Sequence, residues 1–426
     1  MERENLEWAE KCLTFIDGSV SCYHAVEQVE KRLIESGFVQ LDEKDPWKIV
    51  PGGSYYVKRG GSSLAAFKIP DSEIKGFHMV ASHSDSPCFK IKTNPEMTPE
   101  DKYLRLNVEG YGGMIQSTWF DRCLSVAGRV VCAGKDGLRA VNVKIDEDLL
   151  VIPNLAIHMN RNINKGVELN IQTDLLPLMG SPKTKGKLKE KLSHLAGVKE
   201  EEILGSDLFL YVREKGKLAG AEKELMISPR LDDLECVFAS TEAVIAAKPK
   251  DYCNICVVFN HEEVGNHTRE GAASTFLRDT LERIGEGLGK TGGDYLRLLA
   301  DSFMISADNA HALHPNHPEK ADPVNRPVLN GGIVIKHHGG QRYTTDGFSE
   351  AYMKYLCTTA DVPYQDYHNR SDIEGGSTLG NVSAGQVSVS SADIGLAQLA
   401  MHSAVETAGS RDVEYLVRVL KKFYEK

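Results

Sequence analysis

The sequence predicts a three-layer α/β sandwich with a mostly parallel central sheet, into which a β-rich domain is inserted. Three short, largely apolar runs, at residues 76–82, 253–260 and 302–307, each end in polar residues. Such runs are typical of strands in a sheet that is covered on both faces. Helical patterns alternate with them at residues 233–247, 346–360, 393–408 and 411–425. This alternation of strand and helix predicts the sandwich.

The chain opens with two amphipathic helical patterns, near residues 3–16 and 21–36. Between about residues 93 and 225 the pattern changes to short alternating strands and many turns, for example YLRLNV, AGRVVCA and ELNIQT, with one polar helical segment, KGKLKEKLSHLAG. We therefore predict an α/β domain formed by residues 1–92 and 226–426, and an inserted β-rich domain formed by residues 93–225.

The composition limits the classes of function. A chain of 426 residues, of which 41% are apolar, can bury the cores of two or three domains. Its net charge of −10 argues against a broad basic face for nucleic acid. The charged start MERENLEWAEK lacks the apolar core of a secretory signal, and no apolar run approaches the roughly 20 residues that a membrane span needs. Nine scattered cysteines, an odd number, indicate thiols in a reducing compartment, so we expect a cytoplasmic protein without membrane or nucleic-acid partners.

Potential metal ligands follow each of the three apolar strands. His83 and Asp85 follow the first, Glu262 and Glu263 the second, and Asp308 the third. Ligands gather at the carboxyl ends of strands in open α/β sheets, so these distant segments are expected to converge on one site.

Two further segments carry candidate ligands. Asp232 and Asp233 lie in SPRLDD, just before a helical pattern, and His402 lies in DIGLAQLAMHSAVE, which we predict to be an apolar helix. The adjacent Glu262 and Glu263 repel each other in a dry site, and a cation relieves that repulsion, leaving one glutamate to bind metal and the other to move protons. Histidines mixed with carboxylates suit zinc or a similar ion, and a shared carboxylate can hold two ions.

Each motif taken alone has a simpler interpretation. A lone Glu-Glu pair is ordinarily solvated surface, SPRLDD alone suits a helix N-cap, and His402 alone suits a core histidine. HEEVGNH does not fit the His-Glu-x-x-His zinc motif, because Gly265 stands where the second histidine should be. His311, His314 and His317 lie in HALHPNHP, whose prolines break any helical face and predict a loop.

Taken together, the motifs resemble those of the aspartyl aminopeptidase family of dinuclear metallo-aminopeptidases. The resemblance covers nearly the whole chain, in the family's order: ASHSDSP, WFDR, LAIHMNR, SPRLDD, HEEVG, SADNAHALHPN, KHHGGQRY, GGSTLG and QLAMHS. It implies that residues 1–92 and 226–426 form the catalytic metallopeptidase domain. It also implies that the inserted domain assembles dimers into a homo-dodecamer.

The resemblance implies a role for each candidate. His83 and Asp308 would bind one metal ion, Glu263 and His402 would bind the other, and Asp232 would bridge them. The two divalent ions per subunit would be zinc, with cobalt or manganese as alternatives.

The remaining implied roles concern catalysis and the substrate. Glu262 would be the general base and Asp85 would orient a histidine ligand, while Lys336 and Tyr343 would face the substrate. His158, in LAIHMNR, would reach into the site of a neighbouring subunit. The implied reaction releases the N-terminal residue, preferably Asp or Glu, from peptides with free N-termini.

The sequence departs from the family's pattern at two places near the expected specificity region. Asp233 replaces an asparagine, and Ile373, Glu374 and Gly375 replace a proline-cysteine segment. Two alternative functions stay open: a metal-dependent amidohydrolase or deacylase for small amides, and a non-catalytic assembly protein of the same fold. An intact Glu262 beside a full ligand set argues against the second.

Overall fold

A computed structural model describes residues 6–135 and 137–426. Within these residues the helices are α1 Glu7–Gly18, α2 Cys22–Glu35, α3 Ile171–Asp174, α4 Lys187–Ala196, α5 Leu231–Ala246, α6 Phe276–Gly287, α7 Gly293–Ala300, α8 Gly347–Thr359, α9 Leu379–Ala384 and α10 Asp412–Tyr424. The strands are β1 Val39–Leu41, β2 Ser54–Arg59, β3 Ser63–Lys68, β4 Gly76–His83, β5 Cys88–Met97, β6 Leu104–Tyr111, β7 Leu124–Gly134, β8 Gly137–Lys144, β9 Leu178–Gly180, β10 Ile203–Val212, β11 Lys217–Ala219, β12 Leu225–Ser228, β13 Tyr252–Phe259, β14 Phe303–Ala307, β15 Ala310–His311, β16 Ile333–His337, β17 Tyr364–His368, β18 Ser390–Gly395, β19 Ala397–Leu399 and β20 Glu406–Gly409.

The largest sheet has nine strands in the order β1-β2-β3-β13-β4-β14-β18-β16-β17. Its centre is parallel, since β13, β4, β14 and β18 all pair in the same direction. All eight residues of β4 are buried, because helices cover this sheet on both faces. The carboxyl ends of these central strands therefore open onto the same edge.

Two apolar cores fill the spaces between this sheet and its helices. Side chains of α1, α2, α5, α8 and α10 form one core with one face of the sheet, and α6, α7 and α9 contribute to the other core on the opposite face. In α10, Leu416, Leu420 and Phe423 recur at helical spacing and are fully buried. α8 begins where Asp346 accepts the backbone N–H groups of Phe348 and Ser349. The result is the predicted α/β sandwich.

Two smaller sheets adjoin the sandwich. The six-stranded sheet, in the order β8-β7-β10-β5-β6-β9, is antiparallel and has its own apolar core. The five-stranded sheet, β11-β12-β20-β19-β15, combines two strands from before α5 with β15, which follows β14, and with β19 and β20 near the end of the chain. The division of the chain at residues 92/93 and 225/226 stays a prediction, although the strands of the six-stranded sheet all lie between Cys88 and Val212.

Two predicted elements are wrong. Residues 393–408 were expected to form a helix, but they contribute β19 and parts of β18 and β20, which pair in two sheets. Tertiary pairing overrides the local helical pattern there. ELNIQT was expected to be a strand, but residues Ile171–Asp174 form one helical turn because the side chain of Asn170 accepts the backbone N–H of Gln172. The predicted helix at 3–16 is α1, although residues 3–5 lie outside the described residues.

No helix among the described residues is both long and apolar enough to cross a membrane. All nine cysteines are free thiols in the structure, and only Cys123 is exposed.

Candidate active site

The polar ends of the strands meet at one edge of the nine-stranded sheet, where β13, β4 and β14 are neighbours. His83 is the last residue of β4, Asp308 directly follows β14, and a single 3-10 turn, Glu262–Val264, follows β13. Asp232 comes from the first turn of α5, and His402 lies in the loop between β19 and β20. Five separate segments thus deliver histidine and carboxylate side chains to one place.

Asp232 lies between the two histidines. Its Oδ1 is 3.4 Å from Nε2 of His83, and its Oδ2 is 3.4 Å from Nε2 of His402. On the outer sides, Asp308 Oδ1 is 3.7 Å from His83 Nε2, and Glu263 Oε1 is 3.4 Å from His402 Nε2. Two ligands of a tetrahedral ion with bonds of about 2.1 Å are about 3.4 Å apart. These residues could therefore hold two ions on either side of Asp232.

Both imidazole rings are oriented by backbone carbonyl groups. Nδ1 of His83 lies 3.0 Å from the carbonyl oxygen of Asp85, and Nδ1 of His402 lies 2.9 Å from that of Gly113. A carbonyl oxygen only accepts hydrogen bonds, so each Nδ1 carries a proton. In the neutral ring, Nε2 is then left with its lone pair directed toward the carboxylates. This outer contact is the one that metal-binding histidines usually make.

Two carboxylate oxygens of this cluster lack hydrogen-bond donors. Asp232 Oδ1 and Glu263 Oε1 are buried and accept no hydrogen bond from the residues that the structure describes. Burial, reinforced by the charge of Asp232, raises the pKa of Glu263 well above its usual range. Buried carboxylates without donors are unfavourable unless a cation compensates them. The chemistry of the cluster therefore fits a divalent metal centre.

Glu262 faces a cavity of about 180 Å³ that His83, Asp232, Asp308 and His402 also line. Burial, which the nearby His83 only partly offsets, raises the pKa of the Glu262 carboxyl to about 8. A group with a pKa near neutrality can both accept and return a proton at physiological pH.

Asp85 was expected to orient His83. In the structure it contacts the ring of His83 mainly through its backbone carbonyl group. The ring nitrogen of His83 is closer to the backbone carbonyl of Asp85, and the Asp85 carboxylate is 3.5 Å away. That carboxylate instead accepts the backbone N–H groups of Glu262 and Glu263, both at 3.2 Å, and the hydroxyl of Tyr111 at 2.7 Å. Asp85 thus fixes the turn that carries both glutamates.

Lys336 and Tyr343 line the same cavity from the side of Asp308. The ammonium group of Lys336 is buried, donates to the carbonyl of Asn309 at 3.1 Å and lies 3.8 Å from Asp308 Oδ2. Burial disfavours its charge, but Asp308 outweighs that effect and raises the pKa of Lys336 above its usual value. The wall of the cavity therefore carries a buried lysine beside Asp308.

The other predicted residues lie outside this cluster or at its margin. His158 is on an exposed loop and is not among the described residues that line the cavity of its own chain. His311 lines the cavity, whereas His314 and His317 line only a neighbouring cavity of about 460 Å³, together with Glu374.

Two carboxylates that the sequence did not assign are buried beside the ligands. Glu406 accepts the backbone N–H of His402 at 2.7 Å and that of Asp232 at 3.1 Å. Asp233, a candidate ligand in SPRLDD to which the resemblance gave no role, accepts the backbone N–H of His83 at 3.1 Å. The available signal for Glu406 was its position four residues after His402, whereas its contact with the backbone of Asp232 had no local signal.

A second group of potential ligands lies on β16, β17 and α8, where His337, Glu350 and Asp366 come together. The ammonium group of Lys354 lies 2.6 Å from Glu350 and 3.1 Å from Asp366. This lysine already neutralises the carboxylates, so the group is an ion-pair network at the surface.

The α/β sandwich and its histidine-carboxylate cluster define the class of metal-dependent hydrolases related to zinc peptidases. Residues 15–424 match the family model described as aminopeptidase I zinc metalloprotease (M18). The chain belongs to this M18 family of zinc aminopeptidases, which are hydrolases acting on peptides, and the predicted family and enzyme class are confirmed.

Individual relatives are similar over nearly the whole chain. The chain is 44% identical over 432 residues to a probable M18 family aminopeptidase 2 of Clostridium acetobutylicum, with 99% of each chain covered. A chain in the cryo-EM structure of the Ape4 and Nbr1 complex is 36% identical, with a TM-score of 0.95, and covers 99% of this chain and 86% of that one. The S. cerevisiae mApe1 dodecamer is 27% identical, with a TM-score of 0.87, and covers 99% of this chain and 97% of that one.

Proposed function

We propose that this aminopeptidase removes N-terminal Asp or Glu residues from peptides, using two bridged divalent ions per subunit and Glu262 as the general base. The observation that carries this proposal is the position of Asp232, whose two oxygens each face one histidine at 3.4 Å. The free thiols support a reducing compartment such as the cytoplasm.

Five residues of the chain are assigned to the two ions. His83 and Asp308 hold one ion, Glu263 and His402 hold the other, and Asp232 serves both. Zinc fits this set of ligands, and cobalt or manganese are alternatives. Bound ions of this kind supply Lewis acidity to a scissile carbonyl and acidify water.

Glu262 moves the proton. It would accept one from the attacking water and return it to the amine that leaves, a role that its position at the cavity supports. The backbone of Glu262 is held by Asp85, so its carboxylate keeps one direction relative to the cluster.

The test compares two adjacent glutamates. Glu262→Gln should keep both ions and lose roughly 10²–10⁴-fold in kcat, whereas Glu263→Gln should release an ion. Metal content is measured by mass spectrometry. Turnover is measured on peptides with free N-termini and on peptides with acetylated N-termini. Near-normal turnover in Glu262→Gln with two ions bound would show that Glu262 is not the base. Equal turnover on acetylated peptides would instead favour a general amidohydrolase.

The preference for acidic residues rests on Lys336. It is buried in the wall of the cavity beside Tyr343, so its charge acts at short range without screening by salt. A net charge of −10 cannot attract acidic peptides from a distance, so a local cation has to select the acidic side chain.

Assembly into a dodecamer completes the proposal, with His158 supplied to the site of a neighbouring subunit. The loop around His158 exposes Leu155, Ile157 and Met159 by 52%, 52% and 74%. Apolar side chains exposed together on one loop favour contact with another chain. A similar chain, mApe1, forms a dodecamer.

Subunit complementation tests this arrangement. Mixing His158→Ala subunits with Glu262→Gln subunits, under conditions that allow exchange, should restore part of the activity. A mixed interface pairs one intact His158 with one intact Glu262. If mixed oligomers form and no activity returns, His158 acts within its own subunit or not at all.

A further inference from the structure

Residues 111–118 leave the six-stranded sheet at the end of β6 and pass along the metal-ligand cluster. Tyr111 closes β6, and a 3-10 turn, Gln116–Trp119, ends the segment. We infer that this 111–118 segment is a positioning element for both metal sites, and that it ties the six-stranded sheet to metal affinity. The inference rests on the proposed two-ion centre and concerns residues to which that proposal gives no role.

The first contact supports the His83 side of the cluster. The hydroxyl of Tyr111 donates to Oδ2 of Asp85 at 2.7 Å, and the backbone carbonyl of Asp85 holds Nδ1 of His83. The ring of Tyr111 is fixed against Phe209, with centroids 5.5 Å apart in an edge-to-face arrangement. Tyr111 therefore anchors Asp85 to the six-stranded sheet.

Three contacts support the His402 side. The carbonyl of Gly113 accepts from Nδ1 of His402 at 2.9 Å, and the backbone N–H of Ile115 donates to the carbonyl of His402 at 2.9 Å. The hydroxyl of Thr118 accepts the backbone N–H of Ala404 at 2.9 Å. The segment thus holds the ring, the backbone and the following loop of this ligand.

Gly112 brings the 111–118 segment into contact with Glu263, another of the proposed ligands. Its φ is +73°, and a Cβ at this position would lie 3.0 Å from Cβ of Glu263. A side chain here would be strained and would also press on Glu263. The close approach needs glycine, so the segment and the glutamate turn are in direct contact.

Zinc affinity is the readout, because contacts that orient metal ligands typically change metal affinity by 10–100-fold when removed. Each purified full-length variant competes with a chelator of known affinity, and two zinc-binding steps are fitted. We expect Tyr111→Phe, Gly112→Ala and Thr118→Val each to weaken zinc binding by 10–100-fold, with Gly112→Ala and Thr118→Val acting mainly on one of the two steps.

Matched controls separate positioning from general damage. Tyr23→Phe removes a hydroxyl that donates to Asp207, another carboxylate, at 3.2 Å. Gly197→Ala introduces a Cβ at a φ of +65° with no atom within 4 Å. Both controls should keep wild-type zinc constants.

Unchanged constants in Tyr111→Phe, Gly112→Ala and Thr118→Val relative to these controls would overturn the inference. If Gly112→Ala fails to fold, the zinc constants of the other two variants still test the inference. Zinc affinity is measured without substrate, so the result stays interpretable even if Glu262 is not the general base. Wild-type protein that binds only one zinc ion would refute the proposed function instead.

Discussion

Glu406 offers the sharpest test of how the fold holds its ligands. This carboxylate is 2% exposed, and its two oxygens accept the backbone N–H groups of Asp232 and His402. It therefore joins the backbones of two proposed metal ligands, Asp232 and His402. We expect Glu406→Ala to lower both stability and metal affinity.

The magnitude follows from the contacts that are lost. Alanine leaves two buried N–H groups without acceptors, at about 1–3 kcal/mol each, so the free energy of unfolding should fall by about 2–6 kcal/mol. Burial, followed by the charge of Asp232, raises the pKa of Glu406 to about 8. Glutamine therefore resembles the protonated side chain, and Glu406→Gln should cost only about 1–3 kcal/mol, for the one N–H group left facing an amide.

The control is Asp412, which is buried and accepts the backbone N–H groups of Asn330 and Gly332 at 2.7 and 2.9 Å. Asp412→Ala should cost a similar free energy of unfolding, measured by denaturant titration with excess chelator. Only Glu406→Ala should also weaken zinc binding, by about 10–100-fold. Equal zinc affinities in the two variants would show that Glu406 stabilises the fold without positioning the ligands.

Three further results are expected. Asp232→Ala should release both ions together, and retention of one ion at full affinity would make Asp232 a terminal ligand. Lys336→Met should reduce kcat/KM for N-terminal Asp and Glu more than for neutral residues, whereas equal losses would leave Lys336 a general role. His78, stacked between Tyr252 and Phe423, has its pKa lowered by burial to about 3. The contribution of the neutral His78 ring to stability is present above pH 6.5 and is lost as the pH falls toward 3. Between pH 7.5 and 4.5 the free energy of unfolding of the wild type should therefore fall by about 3 kcal/mol more than that of His78→Phe. Parallel pH profiles of the free energy of unfolding would contradict this.

The sandwich could be predicted because its strands and most of its helices carry strong local patterns. β4, β13 and β14 are apolar runs that end in polar residues, and α5, α8 and α10 show helical spacing. The convergence of His83, Glu262 and Asp308 then follows from parallel topology, since neighbouring parallel strands end at the same edge.

The surroundings of His402 could not be predicted in the same way. Its segment has a helical pattern, yet β19 and β20 pair with other strands and leave His402 in a loop. Its contacts to Gly113 and Glu406 depend on that loop. On a helix Glu406 would lie one turn from His402, but it would not reach the backbone N–H groups of His402 and Asp232 that it accepts in the structure.

The backbone at the ligands shows why local patterns fail there. Arg230, His261 and His402 are non-glycine residues with φ of 59°, 64° and 67°, and they precede or form the segments that bear Asp232, Glu262 and the second histidine ligand. Such conformations cost of order 1–3 kcal/mol each and persist only where surrounding structure imposes them.

Hydrogen bonds to carboxylates impose these backbone conformations at the site. Asp85 holds the turn after His261, and Glu406 holds the backbone at both Asp232 and His402. These acceptors are distant in sequence from most of the groups they fix, so no window of residues reveals them. The proposed ligand residues could therefore be identified from the sequence, whereas their contacts with carboxylates and with the 111–118 segment could not, because only the folded chain brings these groups together.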